Sequence, residues 1–172
     1  FNADKLSYNW CNNNEEVAYE HVLNFTVKVP NAVQVNVSTV NKGEVHVANT
    51  KGNYVEANNV NGGIRLTNIT GKTKVNCVNG DVDISYAQNP KVSSRYYALN
   101  GDINISYQAS LSANISFKSM NGEMFTDFDI DKQFVKTSKN GGDKGKPKYK
   151  FESRQVVQIG SGQVDFDFEI LN

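Results

Sequence analysis

The pair Asn-Gly, preceded each time by a large apolar residue, recurs at nearly even spacing along this chain. It appears as Val60-Asn61-Gly62, Val78-Asn79-Gly80, Leu99-Asn100-Gly101 and Met120-Asn121-Gly122. A looser copy, Val40-Asn41-Lys42-Gly43, comes first, and Leu171-Asn172 begins the pattern once more. The step is about 18 to 21 residues, and self-similarity at such a period marks an architecture of stacked repeats. Each repeat holds two short alternating segments. After the Gly come Val45 and Val47; Ile64 and Leu66; Val82, Ile84 and Tyr86; Ile103, Ile105 and Tyr107. Before the next Asn-Gly come Val55 and Ala57; Val75 and Cys77; Tyr97 with Leu99; Ile115 and Phe117. A period of two is that of a half-buried strand, and no window shows a helical period. Gly52 and Gly71 supply a second corner near mid-repeat.

Two geometries compete for this pattern. An isolated Asn-Gly between alternating strands favours a hairpin, and a series of hairpins gives an antiparallel meander. A solenoid instead stacks equivalent residues of successive coils about 4.8 Å apart. Asn41, Asn61, Asn79, Asn100 and Asn121 would then form a hydrogen-bonded ladder. Val40, Val60, Val78, Leu99 and Met120 would form a second column, expected to face inward. A meander gives no reason for such columns, so the solenoid is the expectation, with six or so coils making a rod roughly 30 Å long. Asn, with 24 copies, suits the many corners, because it tolerates left-handed backbone.

Other segments depart from the repeat. Before it, odd positions from Val17 to Val29 are apolar apart from His21, which predicts a long strand ended by Pro30-Asn31. Residues 1–32 are therefore expected to be an N-terminal capping segment and strand, and 33–172 the β-helical domain. The Gly- and Lys-rich stretch 138–148 reads as a mobile surface insertion. After it, Val164, Phe166, Phe168 and Ile170 alternate strictly.

At this point the repeats resemble a known family. The runs VNGGIRLTNITGKTKVNCVNGDVDISY and YYALNGDINISYQASLSANISFKSMNGEMFTDF, with the late IGSGQVDFDFEILN, are similar to the bacterial adhesin family also called the toastrack domain. The likeness covers roughly Val33 to Asn172. It implies a right-handed, single-chain parallel β-helix and export to the periplasm or cell surface. It implies no catalytic residues, and the adhesin name rests on shape more than on demonstrated binding. The Lys/Gly-rich insertion and the N-terminal segment depart from the pattern.

Composition narrows the partners. The chain carries 18 basic and 18 acidic residues, so no net field gathers nucleic acid or an anionic membrane. No run approaches the roughly 18 apolar residues of a membrane span. The chain starts at Phe1 without Met, which reads as a trimmed or mature product whose export signal would not be seen. Cys11 and Cys77 are too few for a disulfide framework, and Cys77 shares the parity of Val75, as a small buried hydrophobe would.

Candidate chemistry centres on the residue after each Gly. Glu44, Asp81, Asp102 and Glu123 would form a column of carboxylates along one edge, broken by Gly63. Asp81, Asp102 and Glu123 are thus the candidate ligands for Ca²⁺, which takes several oxygen donors. A pair near 5 Å would instead suit a retaining glycosidase. An exposed polar corner explains the acids more simply. Asp127-Phe128-Asp129-Ile130-Asp131 imitates the start of an EF-hand loop, but Lys132 stands where Gly is required, so a strand with Phe128 and Ile130 inward fits better. The two histidines, His21 and His46, stand beside no obvious nucleophile. Five Asn-x-Ser/Thr triplets open at Asn24, Asn36, Asn68, Asn104 and Asn114, as chance provides in such a composition. Tyr86 and Tyr107 stand at matching places with inward parity, so they are expected to plug the core rather than bind a ligand.

The expectation is a non-enzymatic envelope or surface solenoid that contacts protein or glycan. The alternative is a polysaccharide lyase or hydrolase on a β-helix. That would need charged groups converging on one face, and Arg is scarce: Arg65, Arg95 and Arg154.

Overall fold

A computed structural model describes residues 24–41, 43–120, 123–140 and 148–171. The described residues contain no helix. In chain order the strands are β1 (Val35–Thr39), β2 (Val45–Ala48), β3 (Tyr54–Asn61), β4 (Ile64–Ile69), β5 (Lys72–Asn79) and β6 (Val82–Tyr86). They continue as β7 (Ser94–Asn100), β8 (Ile103–Ser106), β9 (Ala113–Ser119), β10 (Lys132–Asn140), β11 (Lys148–Ile159) and β12 (Val164–Ile170).

The strands separate into two sheets, odd and even strands alternating between them as far as β8. The first runs β1-β3-β5-β7-β12-β9-β11-β10 and the second β2-β4-β6-β8. Successive coils pair in parallel, with Val35 opposite Val55, Val75 opposite Tyr96, and Ile64 opposite Val82. Cross-coil partners lie 20, 18 and 21 residues apart in sequence. This is the parallel β-solenoid, with two strands to each repeat, and not the meander.

The Asn-Gly corners show why no hairpin forms. A type I′ turn needs positive φ at both central residues. Here the glycines alone take it, at +143° for Gly62, +147° for Gly80 and +140° for Gly101. Asn61, Asn79 and Asn100 keep the extended backbone that ends a strand. A Cβ on Gly101 would sit 2.3 Å from the Gly80 carbonyl oxygen, and one on Gly80 2.5 Å from that of Gly62. Glycine is thus required twice over, by φ and by the coil before it.

The core lies between the sheets. Ile64, Leu66, Val82 and Ile84 from the second sheet meet Val55, Ala57, Val75 and Cys77 from the first, all nearly or wholly excluded from water. Each Val, Leu or Ile among them contributes about 1.5–3 kcal/mol by leaving water. Cys77 is a buried free thiol whose S–H points at the carbonyls of Gly62 and Gly80. Asn59, one coil earlier, fills the same place and donates to the carbonyls of Gly43 and Gly63.

Several expectations are corrected. The apolar residue before each Asn faces outward, since the inward series is Asn59, Cys77 and Ala98. Val40 and Met120 are exposed, while Val60, Val78 and Leu99 are half-covered by their neighbours. In β7, Tyr96 and Ala98 point inward, so Tyr97 and Leu99 carry the opposite parity to the one expected. Three coil steps relate the four strands of the second sheet, fewer than the six coils expected. β12 inserts between β7 and β9, parallel to both, and β9 continues into an antiparallel β11–β10 pair.

Residues 24–30 form no strand, and Phe25, Val27 and Val29 are exposed, against the strand expected there. Residues 17–23 of that expected strand lie outside the described residues. Of the stretch 138–148, residues 138–140 and 148 belong to paired strands, and 141–147 lie outside the described residues. Residues 127–131 form no strand, and β10 begins only at Lys132. Phe128 packs against the core, but Ile130 is exposed.

The parity correction has a direct test. Val78→Lys should change unfolding free energy in urea by no more than about 1 kcal/mol, whereas Val75→Lys should abolish cooperative folding. Equal losses would mean that the corner column does face the core.

Candidate functional site

The Asn ladder forms at one edge of the first sheet. Asn100 Nδ2 donates to Asn79 Oδ1 at 2.8 Å, and Asn79 Nδ2 to Asn61 Oδ1 at 2.8 Å. Asn61 Nδ2 ends the series on the Val40 carbonyl. Asn121 and Gly122 lie outside the described residues. A second ladder, unforeseen from the sequence, runs on the outer face, where Asn76 donates to Asn58. A third sits at the second corner, where Asn68 donates to Asn49 and both take left-handed backbone, φ +54° and +60°. The glycosylation triplet at Asn68 is therefore part of a corner. The signal for these ladders was Asn at constant offset, which the Asn-Gly pairs overshadowed.

The acidic column is arranged for structure. Glu44, Asp81, Asp102 and Glu123 are exposed. Asp81 Oδ1 accepts the backbone N–H of Asp102 at 3.0 Å, so one carboxylate caps the next coil. β12 separates β7 from β9, so the strands that lead to Asp102 and Glu123 are not neighbours. Among the described residues no three His, Cys, Asp or Glu side chains gather where a metal ion could be held. Exposed His46 has its Nε2 3.5 Å from Thr67 Oγ1, and His21 lies outside the described residues. Asp131, from the EF-hand-like run, accepts the N–H of Gly160 and so anchors the turn before β12.

Charges on the outer face of the first sheet pair across neighbouring strands. Lys74 meets Glu56 at 2.7 Å, Arg95 meets Asp167 at 3.2 Å, and Lys118 meets Glu169. Tyr54 and Asn36 also donate to Glu56. On the second sheet Arg65 stands 3.6 Å from Asp83. Each is a near-surface pair of small individual value.

Three tyrosines form a hydroxyl network in the core. Tyr96 is wholly buried, with its hydroxyl 2.7 Å from that of Tyr86 and 3.2 Å from that of Tyr107. The rings of Tyr86 and Tyr107 stack at 5.2 Å, and Tyr107 stacks on Phe166 at 5.3 Å. Tyr86 and Tyr107 are thus core plugs, as expected. Burial pushes all three phenols well above the ordinary 10.0, so they stay protonated.

A groove of about 670 Å³ lies where the loops after β6 and β8 meet the turn before β12. Among its lining residues Lys91 alone is charged. Asn89 and Gln108 bond to each other there, and Gln108 Nε2 also donates to the Tyr86 carbonyl. The groove holds no acid–base pair. No helix among the described residues is long and apolar enough to cross a membrane.

A family model described as Toastrack DUF4097 matches residues 24–165. No curated protein and no solved structure matches the chain significantly.

The Glu56 row predicts a pH dependence. Its carboxyl is held below the ordinary 4.5 first by the hydrogen bond from Lys74 and then by that from Tyr54, against partial burial. A lowered folded pKa means that the unfolded chain takes up the proton first. The row therefore contributes stability above the unfolded value and loses it as pH falls through the folded one. Glu56→Gln should lower the melting temperature at pH 7 and flatten its decline in acid. Parallel acid limbs would assign that decline to other carboxylates.

The phenol network predicts a second effect. Tyr96→Phe removes the hydroxyl that Tyr86 and Tyr107 share, and should cost about 1–3 kcal/mol by denaturant titration. In the parent, ultraviolet titration should show these three of the eight tyrosines ionising only with alkaline unfolding. An unchanged midpoint in the variant would mean that the shared hydroxyl does not contribute.

Proposed function

We propose, from the premise that this chain belongs to the Toastrack family, that it is a non-enzymatic scaffold of the cell envelope or surface. The observation that carries this reading is the way the outer faces satisfy themselves. Charges pair across neighbouring strands, as in Glu56–Lys74 and Arg95–Asp167, and amides bond along ladders. What is left is a set of flat, regular faces suited to contact with protein or glycan. Export, adhesion and glycan contact are part of the proposal.

The enzyme alternative has less support. A polysaccharide lyase or hydrolase brings acids and bases to one cleft. Here Asp81 is engaged by the Asp102 backbone, and the groove lined by Lys91 and Gln108 holds a single cation and no carboxylate. Calcium at the acidic edge stays a minor proposal, since Asp81, Asp102 and Glu123 do not gather.

Two measurements test the scaffold. Cell fractionation should place the protein in the envelope or at the surface. Incubation with a panel of polysaccharides should release no new ends. Turnover that Asp81→Ala or Asp102→Ala abolishes would replace the scaffold with the enzyme.

A further inference from the structure

An Asn followed by Gly carries its own side reaction. The Gly backbone nitrogen attacks the carbonyl carbon of the Asn side chain, and no Cβ on the Gly blocks the approach. The nitrogen gives up its proton to base, a cyclic succinimide closes, and ammonia leaves. Water then opens the ring at either carbonyl, to give Asp or isoAsp. The sum is amide plus water to acid plus ammonia, with no oxidant and no cofactor. This chain repeats the labile pair coil after coil, at Asn61-Gly62, Asn79-Gly80 and Asn100-Gly101.

The folded corners hold the two reacting groups apart. Gly62 N–H donates to the Asn79 carbonyl at 2.8 Å, and Gly80 N–H to the Asn100 carbonyl at 3.0 Å. Each nitrogen is turned toward the following coil and keeps its proton. The side chain is tied the other way. Asn61 Nδ2 donates to the Val40 carbonyl and Asn79 Nδ2 to Asn61 Oδ1, both in the coil before. Asn79 Oδ1 also accepts from Asn100 Nδ2. Asn61 and Asn79 are exposed, so water and base reach them, and the hydrogen bonds rather than burial restrain the reaction. Ring closure needs the Gly bond and the ladder bonds to break together, which happens when a coil opens locally.

Neither product fits the closed corner. An acid at position 79 has no N–H for Asn61 Oδ1, so two oxygens would face each other across the rung. IsoAsp carries the main chain through the side chain and lengthens it by a methylene. The corner has no room for that, since even a Cβ on Gly80 would lie 2.5 Å from the Gly62 carbonyl oxygen. A coil that reacts while open cannot close again in register.

We infer that Asn61 and Asn79 are latent modification sites, at which succinimide formation records the opening of a coil irreversibly, and that the amide ladder sets the rate. This stands apart from the scaffold reading, because it turns on coil opening and not on location or partner.

The full chain is incubated at mildly alkaline pH, once folded and once in urea, then digested in acid and mapped by mass spectrometry. Conversion at Asn61 and Asn79 should be slower in the folded chain by about tenfold or more, since it waits on local opening. Asn61→Ala removes the acceptor of Asn79 Nδ2. It should speed conversion at Asn79 by about threefold or more, at a temperature where circular dichroism shows the variant folded. Chains converted at Asn79 in urea should not regain the parent's melting transition on dilution, whereas chains diluted at once should. Equal rates in the folded and unfolded chains overturn the proposal. So does an Asn79 rate indifferent to Asn61→Ala, or a converted chain that melts like the parent. The comparison of rates needs no refolding, and it decides alone where unfolding in urea is not reversible.

Discussion

At the Asn-Gly corners, successive coils approach so closely that no side chain fits between them. The Gly80 carbonyl fills the space that a Cβ on Gly101 would need, and the Gly62 carbonyl does the same for Gly80. This contact locks the register. With glycine over glycine, Asn falls over Asn, and the amides bond from coil to coil. Register in a sheet is otherwise set by which face is apolar. Here backbone contact and the burial pattern specify the same pairing, so a one-residue slip would lose both.

That lock also explains an inversion. The residue just before Asn-Gly is apolar in every repeat, yet it stands outside. The place three residues before Gly points inward at the corner carbonyls, and there the chain places Asn59, Cys77 and Ala98, two small donors and a methyl. Asn59 leaves its Oδ1 without a partner, the cost of putting an amide in the core. Bulky side chains cannot occupy this tight corner, so apolar bulk moved to the outer column.

The repeat, the parallel stacking, the Asn ladder and the inward tyrosines were legible in the sequence because they recur at fixed offsets. The parity of Val78 and Leu99 was not, because bulk was a poor guide to direction where the corner is narrow. The seat of β12 was not legible either. Val164 to Ile170 alternates like any other strand, and nothing local says that it belongs beside Ser94–Asn100. The candidate acids were visible as a column, but their engagement with neighbouring backbone was not. A carboxylate that caps a coil and one that holds a cation have the same letter in the chain.

The placement of β12 bears on how the polypeptide comes together during synthesis. The coils from β1 to β8 join segments about 20 residues apart, and each can close as it leaves the ribosome. β9 emerges next but has no seat on β7, because the strand that bridges them is made about 50 residues later. Until then its apolar face must wait, alone or against the β10–β11 pair. Assembly is therefore sequential for the first half of the rod and deferred for the second, and the interval between them is when the nascent protein is most open to capture by other chains.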